Sequence, residues 1–199
     1  MIKNYFQWIK RDWAKVGFIV AIFLTIFMFV FIRQTNFVVF ILLINTPLYM
    51  FHETEEYVFP GGFGKFFNMD IFKLDTEDEP VNENFIFAIN ILYIWLLLPL
   101  FGMLSLSNVS FGLWIPYFTF FAGVSHIVLA IKAKKTYNPG LIISLVLNIP
   151  FGLWSIIYLS NQGLIDHPIF NLHLLIGLLL NLALPVMGGL LYKRHMKNK

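Results

Sequence analysis

Residues 37–57 read FVVFILLINTPLYMFHETEEY. The stretch contains no charged side chain until its end, where four ionisable residues lie close together: His52, Glu53, Glu55 and Glu56. A helix needs roughly 20 predominantly apolar residues to cross the hydrocarbon core of a bilayer. We therefore interpret 37–57 as a membrane-spanning helix that leads into a cluster of ionisable side chains.

Five further apolar runs of similar length predict additional spans. Because unsatisfied backbone groups are so costly in lipid, each run should be helical. Hydrophobic residues make up 58% of the 199 positions and charged residues 13%, which suits a protein solvated by lipid. We predict an all-α, polytopic membrane protein, a six-helix bundle that forms a single transmembrane domain over 1–199. The expected spans are Val16–Ile32, Phe37–Tyr57, Phe85–Leu106, Gly112–Ile131, Leu141–Leu159 and Ile169–Tyr192.

Positive charge indicates the orientation of these spans. Every basic residue except Arg33 falls before the first span, between the second and third, between the fourth and fifth, or after the sixth. Lysine and arginine accumulate on the cytoplasmic side, so both chain ends are expected in the cytoplasm. The composition, rich in Ile, Phe, Asn and Lys, is typical of AT-rich bacteria, and we expect a multi-pass protein of a bacterial inner or plasma membrane.

One hydrophilic segment, 61–84, separates the second span from the third. It begins at the turn-forming Pro60-Gly61-Gly62 and ends in an acidic stretch. We expect a cytoplasmic loop with a short interfacial helix around Phe66 to Phe72. In a functional interpretation, this loop is a lid over the site that the bundle holds.

The ionisable cluster has a spacing that suits a metal. His52, Glu55 and Glu56 stand at positions i, i+3 and i+4, so they share one helix face. An imidazole and a carboxylate one turn apart can bind the same divalent ion, as the two histidines of the zincin motif do. Cysteine is absent from the chain, which excludes thiolate ligands, thiol nucleophiles and disulfides.

Depth in the membrane brings other polar residues to the same level. With a rise of about 1.5 Å per residue, His52 lies roughly 22 Å from the outer end of its span. His126 and Asn181, on the fourth and sixth spans, come to roughly 20 Å and 18 Å by the same rise. His173 lies only about 6 Å from the outer edge of its span and is expected outside this common level. Three more asparagines lie near the cytoplasmic side of the level: Asn90, Asn138 and Asn148.

At His52-Glu53-Thr54-Glu55-Glu56 the chain resembles the HXXEE-motif family of integral membrane proteins, which is named for this sequence and has no assigned function. The likeness extends to a later histidine, His126, and to the pair Asn138-Pro139, over roughly residues 37 to 145. The resemblance implies that one site contains the following residues: His52, Glu55, Glu56, His126 and Asn138.

The first functional hypothesis is a metal-dependent intramembrane enzyme. His52, Glu56 and His126 would bind a divalent metal, zinc or iron, as cofactor. Glu55 would act as the general base on water, and Asn138 is the second residue expected to take part in catalysis. Hydrolysis of a lipid or lipidated substrate near the cytoplasmic leaflet is the simplest reaction for such a site.

Two alternatives stay open. A proton-coupled transporter or carrier could relay protons through Glu55, Glu56 and His126. In a purely structural interpretation, the carboxylates mark the cytoplasmic end of a span and His126 bonds a neighbouring helix. The formal charge of +3 is too small to indicate nucleic-acid binding, so the expected partners are membrane lipid and a lipid-like small molecule.

Overall fold

The computed structural model describes residues 2–198, and within them the chain forms helices and turns without a strand. Six of these helices are long and apolar enough to cross a membrane. A short helix, α3 (residues 63–71), lies between the second and third of them. The predicted all-α class with six candidate spans is confirmed. The spans are α1 (Asn4–Ile32), α2 (Phe37–Tyr57), α4 (Glu83–Leu104), α5 (Val109–Ala133), α6 (Leu141–Asn161) and α7 (Leu172–Lys197).

Most span boundaries differ from the expected ones by a few residues, and the starts of α1 and α7 are the clearest cases. Helix α1 extends well before Val16, and in this extension Asp12 pairs with both Arg11 and Lys15. Helix α7 begins at Leu172 rather than Ile169. The Asn171 side chain accepts a hydrogen bond from Leu174 N at 2.7 Å and so caps the helix there.

Asparagine caps begin four of the spans. The capping hydrogen bonds of α2, α4, α5 and α7 are accepted by four asparagine side chains, in this order: Asn36, Asn82, Asn108 and Asn171. Helix α6 is different, because its N-cap residue is Gly140, which has a φ of +97° and no side chain to offer. The first N–H groups of α6 therefore need an acceptor from elsewhere in the bundle.

Helices α2 and α5 form the centre of the bundle. In α2, 72% of the most apolar stretch is buried, and in α5 56%, against 17% in α1 and α7. Helix α1 packs along α2, while α5 packs against α6 and α7. The polar residues of α2 and α5 thus lie in the protein interior, where only protein groups can satisfy them.

The segment 61–84 is folded against the bundle. The expected short helix is present as α3, and Phe66, Phe67 and Ile71 are buried in a cluster with Ala133 of α5. Asn68, also buried, bonds the backbone of Glu77 and Val81 and closes the following loop.

Several contacts bring this segment, both chain ends and the α5–α6 turn to one end of the bundle, which we call the basic end. Lys10 pairs with Glu83 at 3.3 Å, and Lys135 pairs with Asp70 at 2.8 Å. The rings of Phe72 and Tyr192 stack with their centroids 4.8 Å apart. That this end faces the cytoplasm stays a prediction from the charges.

The cysteine-free sequence makes this orientation testable. Thr136 is exposed at the basic end and Ser107 is exposed at the opposite end. In intact cells, a membrane-impermeant maleimide should label Ser107→Cys but not Thr136→Cys, and permeabilised cells should label both. Labelling of Thr136→Cys in intact cells would reverse the predicted topology.

Candidate metal centre

One face of α2 points at α5 and carries two of the predicted ligands. Asn45 and Tyr49 precede His52 and Glu56 on this face at helical spacing. The Asn45 Oδ1 accepts a hydrogen bond from the Thr119 hydroxyl at 2.7 Å, and the Tyr49 ring stacks on Phe118 of α5. These contacts fix the rotation of α2, so that His52 and Glu56 meet α5 one turn further on.

His126 of α5 completes a group of three buried side chains. Glu56 Oε1 lies 3.3 Å from His126 Nε2 and 3.5 Å from His52 Nε2. One ligand atom from each of His52, Glu56 and His126 lies within 4.8 Å of the others. The structure thus brings together the three residues that the sequence suggested as ligands.

Asn138 fixes the tautomer of His126. Asn138 Nδ2 donates to the His126 backbone carbonyl at 2.9 Å, which orients the amide because a carbonyl only accepts. The Asn138 Oδ1 therefore faces His126 Nδ1, at 2.7 Å. Since an amide oxygen only accepts, Nδ1 carries the proton, and in the neutral ring the Nε2 lone pair points toward Glu56.

His52 lacks such a partner. Its side chain is 1% exposed, and neither ring nitrogen makes a hydrogen bond to the protein. The ring is held by edge-to-face packing on Tyr49 and on His126, with centroid distances of 5.1 Å and 4.7 Å. A buried imidazole with no hydrogen bond is costly, and a metal ion would supply the missing interaction for Nε2.

Gly140 lies against both imidazoles. A Cβ on this residue would lie 2.5 Å from His126 Cε1 and 2.8 Å from His52 Cε1. No side chain fits at these distances, and the φ of +97° also favours glycine. The α5–α6 turn therefore contributes Asn138 as a hydrogen-bond partner and Gly140 as a close-packed surface.

Glu55 holds this turn in place. Glu55 Oε1 accepts from Ile142 N at 3.0 Å, and Oε2 accepts from Ile143 N at 2.7 Å. The Tyr137 hydroxyl donates to Oε1 as well, at 3.1 Å. A carboxylate at a helix N-terminus satisfies its free N–H groups and interacts favourably with the helix dipole. Burial and the neighbouring Glu55 carboxylate raise the pKa of Tyr137 to about 12.

Glu53 points in a third direction, toward α1 and α4. It is 0% exposed, and neither carboxylate oxygen has a hydrogen-bond partner. A Cβ on Gly17 of α1 would lie 3.2 Å from the Trp95 ring and 3.9 Å from Glu53 Oε2. Among the described residues, no lysine or arginine pairs with Glu53 or Glu56. Two buried carboxylates thus lack a basic partner other than histidine.

A cavity of about 370 Å³ opens beside Glu56 and His126. Its walls come from α4, α5, α7 and the segment 61–84, and most of them are apolar. Phe63 covers the site from the basic end, with its ring centroid 5.9 Å from that of His126. The segment thus lies where the lid interpretation places it.

Two hydrogen-bonded pairs add polar atoms to the cavity wall. Asn90 Nδ2 donates to the Tyr57 hydroxyl oxygen at 3.2 Å, and the Ser125 hydroxyl donates to Asn181 Oδ1 at 2.7 Å. Because the Tyr57 oxygen accepts from Asn90, its own proton is free to donate into the cavity. Asn90 and Asn181 were expected at this level, but no pattern in the sequence pointed to their partners Tyr57 and Ser125.

The remaining predicted residues have other surroundings. Glu55 does not line the cavity and bonds the start of α6. Both polar atoms of Asn138 are engaged by His126, so direct catalytic parts for Glu55 and Asn138 stay predictions. Asn148 is fully buried beside Gly123, away from the cavity lining, and His173 lies in the first turn of α7.

Comparison with known proteins gives one match. A family model described as "Protein of unknown function with HXXEE motif" matches residues 42–155, more than half of the chain. No curated protein and no solved structure matches the chain.

Gly140→Ala should damage the site, because the added methyl group would displace both imidazoles. If the group holds a divalent ion, we expect that ion to bind at least tenfold more weakly, on the order of 1.4 kcal/mol, measured by competition with a chromogenic chelator. Gly163→Ala is the matched control: Gly163 also has a positive φ, +71°, but nothing lies within 4 Å of its Cβ position. Equal metal affinity in the two variants would contradict the proposed role of Gly140.

Glu55→Gln should loosen the start of α6, because an amide group would face an N–H donor that now bonds a carboxylate oxygen. We expect a loss of about 1–3 kcal/mol in the free energy of unfolding, measured by detergent titration. Hydrogen exchange at Ile142 and Ile143 should accelerate as well. Glu83→Gln, which changes an exposed carboxylate paired with Lys10, should leave both measurements near the wild-type values.

Proposed function

We propose that this chain, which belongs to the family of proteins of unknown function with an HXXEE motif, is a metal-dependent intramembrane hydrolase. Its substrate would be a lipid or a lipidated molecule. His52, Glu56 and His126 would bind one divalent ion, zinc or iron, beside the cavity. The proposal assigns Glu55 and Asn138 to positioning these ligands.

The observation that carries the proposal is the placement of two imidazole nitrogens on one carboxylate oxygen. The separations of 3.3 Å and 3.5 Å are long for hydrogen bonds. They are close to the separation of about 3.4 Å between two ligands that each lie about 2.0–2.1 Å from one tetrahedral ion. The donor set of two imidazoles and a carboxylate suits zinc or ferrous iron.

Charge balance also favours a cation at this place. In the neutral tautomer that Asn138 selects, the His126 Nε2 lone pair faces a carboxylate oxygen, and two such acceptors repel each other without a cation between them. The nearby Glu53 adds a second buried carboxylate that has no basic partner. A divalent ion would balance Glu53 and Glu56 together, whereas a single proton would balance only one of them.

The cavity wall offers groups that suit ester or amide hydrolysis. A divalent ion in such a site supplies Lewis-acid chemistry: it polarises a carbonyl oxygen and makes water a better nucleophile near neutral pH. Tyr57 could donate its free proton to the oxygen on which negative charge develops. Glu55 is less suited to proton transfer, because three donors already engage its oxygens outside the cavity.

We favour a hydrolase over a proton-coupled carrier because of the extent of the cavity. The described lining residues of α5 fall between Phe121 and Leu129, and those of α7 between Leu178 and Gly188. They leave out the first turns of both helices at the end opposite the basic end. A carrier needs access from both sides of the membrane.

The metal content of the detergent-purified protein tests the proposal. We expect about one zinc or iron per chain in the wild type, as for an intact three-residue site. The metal should fall to background in His52→Ala, His126→Ala and Glu56→Gln. His173→Ala, which removes a half-buried histidine of α7 that lies outside the site, should keep it. Metal-loaded wild type, but not Glu56→Gln, should release fatty acid from ester lipids.

Size-exclusion profiles and helical circular dichroism establish that each variant is folded. The near-isosteric Glu56→Gln is the decisive variant, because it keeps the volume of the side chain. Wild-type protein that stays metal-free after supplementation with zinc and with ferrous iron would overturn the proposal. A Glu56→Gln variant with full metal content would do so equally.

A further inference from the structure

The lining of the cavity beside Glu56 and His126 suits an amphiphilic ligand. Aromatic and aliphatic side chains from α4, α5, α7 and α3 form most of its wall. Apart from Tyr49, its polar lining residues are Glu56, His126 and the hydrogen-bonded pairs Tyr57–Asn90 and Ser125–Asn181. A ligand that fills it should combine a hydrocarbon chain with one small polar group.

The cavity reaches the lateral surface of the bundle. Val128 of α5 and Leu182 of α7 both line it, yet they are 55% and 48% exposed. In a bilayer these two side chains would contact lipid. A ligand can therefore enter from the membrane without crossing an aqueous phase.

The lining indicates that the polar group of the ligand is uncharged. Within the described chain, no lysine or arginine lines the cavity. A phosphate group would place a negative charge beside the buried Glu56, and Glu53 and Glu56 together already balance a divalent ion. An anionic group would remain without compensation in a medium of low dielectric constant.

The volume of the cavity indicates that the ligand has a single hydrocarbon chain. About 370 Å³ is near the lower end of the range of roughly 300–1,000 Å³ for small-molecule sites. Lining residues on α7 extend from Leu178 to Gly188, which corresponds to about 15 Å along the helix axis. The lining is therefore extended along α7.

We infer that the cavity binds a single-chain neutral lipid, such as a monoacylglycerol, with its ester group at Glu56 and His126 and its chain between α4 and α7. The inference rests on the proposed function for the reaction at the ester. Binding of the chain depends only on the shape and lining of the cavity. The two proposals can therefore fail separately.

Adjacent glycines of α7 provide a matched test. Gly188 lines the cavity, and a Cβ there would find Phe67 at 3.6 Å, an ordinary contact; the Cβ position of Gly189 has nothing within 4 Å. A leucine at Gly188 should fill the space that the ligand chain occupies. A leucine at Gly189 should point away from it.

The probe is a monoacylglycerol with a photoreactive diazirine in its acyl chain, applied to the full chain in detergent and quantified by intact mass. We expect Gly188→Leu to weaken labelling about tenfold or more, through the displaced methylene groups, and Gly189→Leu to label like the wild type. Val128→Phe at the cavity opening should lower labelling as well. Its control is Ile131→Phe, at a residue that is 72% exposed and outside the lining.

Competition and metal content complete the experiment. Unlabelled monoacylglycerol should suppress labelling, and a two-chain phosphatidylglycerol should not. His52→Ala should lose metal but keep labelling, which separates chain binding from the metal site. Equal labelling of Gly188→Leu and Gly189→Leu, or efficient competition by phosphatidylglycerol, would overturn the inference while leaving the metal proposal intact.

Discussion

Hydrocarbon offers no hydrogen bonds, so the first N–H groups of a helix that starts inside a bundle need an acceptor from the protein. Helix α6 starts at a glycine and takes that acceptor from Glu55 of α2. This one junction fixes the α5–α6 turn against α2. The α5–α6 turn places Asn138 against His126, and Asn138 then determines which nitrogen of His126 faces Glu56. The geometry of the candidate site thus depends on a carboxylate that does not belong to the ligand group.

The acidic residues of the motif can all be buried because helix geometry sends them to different neighbours. At about 100° per residue, Glu53 faces α1 and α4, Glu55 faces the start of α6, and Glu56 faces His126 on α5. Each carboxylate therefore has separate surroundings, and only Glu56 reaches the cavity. The same arrangement explains why α2 is the most buried span although it carries three carboxylates.

The sequence predicts those features that follow from the membrane and from helical periodicity. Lipid requires apolar spans, which gives the number of helices, and the spacing of His52 and Glu56 places both on one face. Depth along α5 brings His126 to the same level. The partner of Glu55 is not predictable in this way, because it depends on where the α5–α6 turn packs against α2. The burial of Phe66 and Phe67 was missed for a similar reason: Lys65 and Asp70 make the segment look interfacial, and its partners on α4 and α5 are distant in sequence.

The two histidines of the group are held very differently, and the difference indicates how the site would work. His126 is fixed by two hydrogen bonds with Asn138, one in each direction, by contact with Gly140 and by the Phe63 ring. His52 is held by packing on Tyr49, His126 and Gly140 without a hydrogen bond, and its Nδ1 lacks the partner that usually orients a metal-binding histidine. His126 and Glu56 line the cavity, whereas His52 lies behind them. A substrate that enters from the membrane would therefore meet Glu56 and His126 before it meets His52.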